Sequence, residues 1–165
     1  MKFSRLLRHL LMSTWWTRRA FRAADLKAIG AAIAESESHH RGELRFVVEG
    51  PLNTLHVLRG FTPRQRAIEV FSQLKVWDTE ENCGILIYVQ MVDRKVEILA
   101  DRGISAKVPQ AEWDSLCRGM EKHFARGEYR DGVIQALQGA SGLLSAHFPA
   151  QGARPNELPD APVLL

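Results

Sequence analysis

The residues best suited to chemistry are Asp78, Glu80, Glu81, Asp101 and Arg102, which lie in two separate loops. One antiparallel ribbon would bring those loops together. Gly84-Ile85-Leu86-Ile87-Tyr88-Val89-Gln90 and Val96-Glu97-Ile98-Leu99-Ala100 read as paired strands around a turn at Val92-Asp93-Arg94. With Met91 facing Val96, counting back sets Gly84 opposite Gly103 and Asn82 beside Arg102 and Gly103. Asp78, Glu80 and Asp101 would then supply oxygens to Ca²⁺ or Mg²⁺, hard cations that take such ligands from flexible loops. A cation held there would, with Arg102, grip a phosphate group. The plainer alternative is an Asp–Arg ion pair, with capping and turn roles for Asp78 and Asn82.

Other constellations are weaker. Glu37-x-x-His40-x-x-Glu43 has the spacing of neighbours on a helix, but only one copy exists, so solvated polar residues at a helix end are the expectation. Asp93-Arg94 closes a polar turn. Cys83 starts a buried strand and Cys117 lies on an apolar helical stripe, so both read as packing residues. There is no H-E-x-x-H, no P-loop and no G-x-S-x-G. Two cysteines without a C-x-x-C exclude a disulfide scaffold and favour a reducing, cytoplasmic setting.

The elements that must position these groups follow from periodicity. Residues 23–41 read as a helix with Leu26, Ile29 and Ile33 on one face and Gly42 as its left-handed terminator. Leu44 to Glu49 reads as a strand, and residues 51–60 as a loop with a short helical turn. Thr62-Pro63-Arg64-Gln65 is a helix start with a capping box. The strand from Gly84 is apolar on both faces and belongs at the centre of a sheet covered by helices. Two further helices run from about Pro109 to Gly127 and from about Asp131 to Pro149. The fold class is therefore α/β, a three-layer α/β/α sandwich whose mixed sheet contains an antiparallel hairpin. Residues 23–149 form this domain, and 150–165, proline-bearing and aperiodic, form a loose, disordered tail.

The 165 residues are 45% hydrophobic and 25% charged, which excludes a disordered chain. No stretch nears the ~20 apolar residues that span a bilayer. The net charge of +3 is unevenly spread: residues 1–22 hold six basic residues and no acid, so the rest of the chain is net negative. A basic arm on an acidic body argues against nucleic acid as a partner. Within the arm Phe3, Leu6, Leu7, Leu10 and Leu11 share one helical face, and Arg5, Arg8 and His9 lie on the other. Leu6, Leu7, Leu10 and Leu11 with Trp15 and Trp16 are thus candidates for contact with a membrane surface. The alternatives are packing on the domain itself or on a second subunit, and an organelle transit peptide is a minor option.

Four pieces of sequence then carry a likeness: Asn82-Cys83-Gly84-Ile85-Leu86-Ile87 as an Asn-x-Gly strand start, Asp93-Arg94-Lys95 at the turn, Ala100-Asp101-Arg102-Gly103-Ile104 after the hairpin, and Phe124…Gly127-x-Tyr129…Gly132 between the last helices. In this order they resemble the TPM-domain family, bacterial and plastid α/β/α domains some of which are described as phosphatase-like. The wording at Arg41-Gly42-Glu43-Leu44-Arg45-Phe46, Val76-Trp77-Asp78-Thr79 and Ala100-Asp101-Arg102-Gly103 is similar to that of a small bacterial branch without the usual signal peptide and C-terminal membrane helix. In the wider family a glycine-x-glycine stands where this chain has Asp101-Arg102-Gly103. The resemblance implies a module at the inner face of the membrane, with LemA-type or other TPM proteins as companions and a homodimer open. The alternative it implies is a metal-dependent phosphatase acting on phosphate esters, with Arg102 as phosphate holder. A third reading keeps the cation site without turnover.

Overall fold

The computed structural model describes residues 2–152 and 155–165. Its centre is β2 (Gly84–Gln90), buried along its whole length. β1 (Glu43–Glu49) pairs with it in parallel, and β3 (Lys95–Ala100) antiparallel. A two-residue strand, β4 (Val163–Leu164), runs parallel to β1, so the sheet order is β3-β2-β1-β4. Alternate side chains of these strands enter two different cores. Leu44, Phe46, Val48, Ile85, Ile87, Val89, Val96 and Ile98 face one layer, made of α3 (Ala23–Glu37), α7 (Gln110–Ala125) and α8 (Tyr129–His147). Val47, Leu86, Tyr88 and Leu99 face the other, where Ala67 and Val70 of α5 (Pro63–Gln73) pack. A strand apolar on both faces has to be covered twice, and the three-layer α/β/α sandwich results.

Local signals are honoured where they are self-contained. At α5 Thr62 and Gln65 cap each other reciprocally with Pro63 at the first helical position. Gly127, at φ +77°, ends α7. The short α4 (Thr54–Leu58) supplies the helical turn between β1 and α5.

Three expectations are corrected. The hairpin register is Val89↔Val96 and Gln90↔Lys95, with a four-residue turn at Met91–Arg94, so Asp101 rather than Gly103 lies opposite Gly84. Gly42 does not end α3, which stops at Glu37; it is needed because a Cβ there would come within 2.7 Å of Leu144. The tail is ordered at its far end: Leu158 is buried, Leu165 N–H donates to Val48 and Gly50 N–H to the Leu165 carbonyl. β4 covers the outer edge of β1 only at Val47 and Val48, where an edge strand would otherwise expose its backbone groups.

The basic arm forms two helices, α1 (Lys2–Leu11) and α2 (Thr14–Ala20), the second capped by Ser13. α1 packs beside α4. Among the described residues no helix is long and apolar enough to cross a membrane.

Candidate functional site

The loops expected to converge do meet, but through their backbones. Asn82 adopts a left-handed φ of +53°, and its carbonyl accepts Gly103 N–H at 3.0 Å. A Cβ on Gly84 would sit 1.9 Å from the Val76 carbonyl oxygen, and one on Gly103 would sit 2.6 Å from that of Asn82. The two glycines are what lets the loops close. Asp101 caps the short α6 (Arg102–Ser105), its Oδ1 accepting Arg102 N–H at 2.7 Å, while Arg102 Nε donates to Asn82 Oδ1 at 2.8 Å. Glu81 takes the Arg41 guanidinium at 2.6 Å, and Glu80 N–H donates to Glu157. Asp78 is exposed. Among the described residues no three His, Cys, Asp or Glu side chains are grouped to hold a metal ion. The structure therefore brings Asp101 and Arg102 against Asn82 and does not assemble Asp78, Glu80 and Asp101 as a ligand set.

Glu37, His40 and Glu43, expected in solvent, are drawn inward instead. His40 is 3% exposed and Glu43 is buried. Glu37 accepts Leu44 N–H at 2.8 Å, and Glu43 accepts Leu158 N–H at 3.1 Å, which pins the tail. Burial pushes the Glu37 carboxyl up to about 8 and the His40 imidazole down to about 4. The sequence offered no sign of this because the covering segment comes from more than a hundred residues away.

The arm is docked the opposite way from a helix packing its leucines. Arg5 forks onto Asp93, with Nε at 2.9 Å from Oδ1 and Nη2 at 2.6 Å from Oδ2. His9, 4% exposed, accepts Leu52 N–H on Nδ1 at 3.0 Å and turns Nε2 toward Asp93 Oδ1 at 3.3 Å. Burial alone would raise Asp93, but His9 and Arg5 outweigh it and hold the carboxyl well below the usual range. The polar side of α1 thus faces the body. Phe3 is 77% and Leu11 74% exposed, with Leu7 and Leu10 also exposed and Leu6 half-buried. Trp15 and Trp16, edge to face at 5.2 Å, extend this surface, as do Leu55 and Leu58 of α4. Arg8, Arg18 and Arg19 stand exposed on the same two helices.

A feature absent from the sequence reading lies between arm and body. A cleft of about 980 Å³ opens at the carboxyl end of β2, walled by Met12, Trp16 and Arg19 of the arm, by Met91 and Arg94 of the turn and Lys95 at the start of β3, and by Phe124 and Tyr129. Only the Phe124…Gly127-x-Tyr129 spacing hinted that these residues belong together.

The comparisons with known proteins agree with this architecture. The TPM domain model matches residues 17–143, leaving α1 outside its span. The chain is similar to the NMR structure of BA42 protein from the psychrophilic bacterium Bizionia argentinensis, with 28% identity, a TM-score of 0.77, and coverage of 87% of this chain and 94% of that one. It shares its fold with the N-terminal domain of a P. gingivalis protein, at 13% identity and a TM-score of 0.63, covering 87% and 95% of the two chains. No curated protein matches it. With most of its length matched by one family model and its α/β/α sheet shared with these structures, the chain belongs to the TPM domain family.

Proposed function

We propose that this TPM-domain chain works as a peripheral membrane module, landing on an anionic bilayer surface through α1, α2 and α4. The observation that carries it is the inverted arm: Arg5 and His9 face the body while Phe3, Leu7, Leu10, Leu11, Trp15 and Trp16 face out. An apolar face of that extent on a short amphipathic helix needs cover, and lipid supplies it at roughly 25 cal/mol per Å². The exposed arginines on the same helices suit acidic headgroups, each contributing about 1 kcal/mol near such a surface. Tryptophans are at home at the headgroup level.

The test is flotation of the full chain with phosphatidylcholine vesicles, with and without phosphatidylglycerol. The wild type floats with the mixed vesicles, more strongly at low salt, and the Leu7→Ser/Leu10→Ser/Leu11→Ser variant stays at the bottom of the gradient. That variant keeps Arg5 and His9, so its arm should remain docked. A wild type that ignores both vesicles overturns the reading. Self-association that disappears in the same variant would assign the face to a protein contact instead.

A further inference from the structure

We infer that the cleft under the arm is a phosphate site, and that it takes the headgroup phosphate of an anionic glycerophospholipid; the lipid source, though not the phosphate chemistry, rests on the membrane reading above. The acids and bases of the cleft are unequally satisfied. Four carboxylates line it, and each has a basic or backbone partner. Glu121 takes Lys95 at 3.3 Å. Glu128 takes Arg126 and His123, both at 2.7 Å. Asp131 takes Arg130 at 3.0 Å, and Asp25 accepts Arg22 N–H at 3.1 Å while capping α3.

The arginines divide differently. Arg19, Arg22 and Arg94 also line the cleft; all three are exposed, and among the described residues no ion pair joins their guanidinium groups to a carboxylate. Arg19 instead lies over the Trp15 ring at 5.4 Å. Arg94 is held at the turn's left-handed position, φ +54°, next to the Asp93 that anchors the arm. Three planar forks without counter-charge, around a cleft whose acids are engaged, favour a polyanion with oxygens in a compact group. The non-polar part of the wall matches the remainder of such a ligand. The rings of Phe124 and Tyr129 lie 5.2 Å apart, tilted at 46°, and Met12, Met91 and Trp16 add a surface for glycerol and the first methylenes. Trp16 belongs to both the outward apolar face and the cleft, so a headgroup at the landing surface is within the cleft's reach. The site also lies beyond the carboxyl end of a parallel strand, where open α/β sheets present ligands.

The experiment titrates the full chain with sn-glycerol 3-phosphate and, separately, inorganic phosphate, following backbone amide shifts, and repeats both with Arg22→Gln/Arg94→Gln. The glycerol phosphate should move Arg22, Arg94 and Tyr129, bind more tightly than inorganic phosphate, and weaken by about tenfold in the variant. In flotation, the variant should show a reduced preference for phosphatidylglycerol, with the share owed to Arg8, Arg18 and Arg19 remaining, and keep the wild-type level on phosphatidylcholine, because the leucine face is intact. No shifts with either probe, or equal affinity in the variant, overturns the site. Shifts in the titration with unchanged lipid preference in the variant overturn the lipid source and assign a free phosphate. Absence of wild-type flotation with an intact titration defeats the membrane reading and the lipid source with it, and leaves the phosphate site standing.

Discussion

Two Asp-Arg pairs bracket β3, and the molecule uses them in contrasting ways. Asp101-Arg102, after the strand, is absorbed locally: the acid caps α6 and the base reaches Asn82. Asp93-Arg94, before it, reaches far: the acid receives a guanidinium and an imidazole from a helix 88 residues away, and the base is left to face an open cleft. Identical dipeptides therefore do architectural work at one end of the hairpin and docking work at the other. What decides is the surrounding backbone. At the Asp101 end the loops touch so closely that only glycine fits at 84 and 103. At the Asp93 end a four-residue turn projects beyond the sheet and leaves room for another element.

Each end of the hairpin can be perturbed on its own. The largest effect is expected from Gly84→Ala, whose methyl meets a backbone oxygen that cannot step aside; urea unfolding should register a loss of about 4 kcal/mol or failure to fold. A normal midpoint would show that the closed end has slack. Asp93→Asn should cost about 3 kcal/mol by leaving Arg5 and His9 facing a neutral partner. Its diagnostic is faster tryptic cleavage at exposed Arg18 and Arg19, and an unchanged cleavage rate would mean that Asp93 is not the anchor.

An intermediate effect concerns the buried polar residues behind the tail. Between pH 4.5 and 6.5 two trends oppose each other: folded Glu37 keeps a proton that the unfolded chain has released, while folded His40 lacks one that the unfolded chain holds. Raising the pH in that window weakens the fold through Glu37 and strengthens it through His40. Above 6.5 only the Glu37 trend persists, so stability should fall by about 2 kcal/mol toward pH 8. Thermal melts of Glu37→Gln should lose that decline, and a decline of equal size in the variant would place its origin elsewhere. The smallest effect is Asp101→Ala, about 1 kcal/mol for a lost cap. The same melts with added Ca²⁺ sharpen the contrast: a rise in wild type that Asp101→Asn abolishes would make the acid's buried second oxygen a ligand and the closed end a site.

How much of this was legible in the sequence depends on the range of the signal. The α5 start was fully written in Thr62, Pro63 and Gln65, because a capping box involves only neighbours. β2's place at the centre followed from apolar residues on both faces. The hairpin register was not recoverable from the apolar pattern, since a slip of two residues returns every side chain to its own face; only the geometry of the turn separates the two. The arm posed a related difficulty. Periodicity reveals which residues share a face of α1, but whether the leucines or the arginine and histidine turn inward depends on Asp93 and Leu52, far along the chain. The cleft was harder still, being assembled from the arm, a turn and two helix ends.

The polar joint of the arm has one further consequence. Arg5 is still partly wetted where it meets Asp93, and water there weakens the attraction between opposite charges. Any surface that settles over the arm and drives this water out lowers the local dielectric and tightens the joint. A greasy hinge would loosen on entering lipid; this one should stiffen, so that under the membrane proposal landing and rigid orientation of the body arrive as one event.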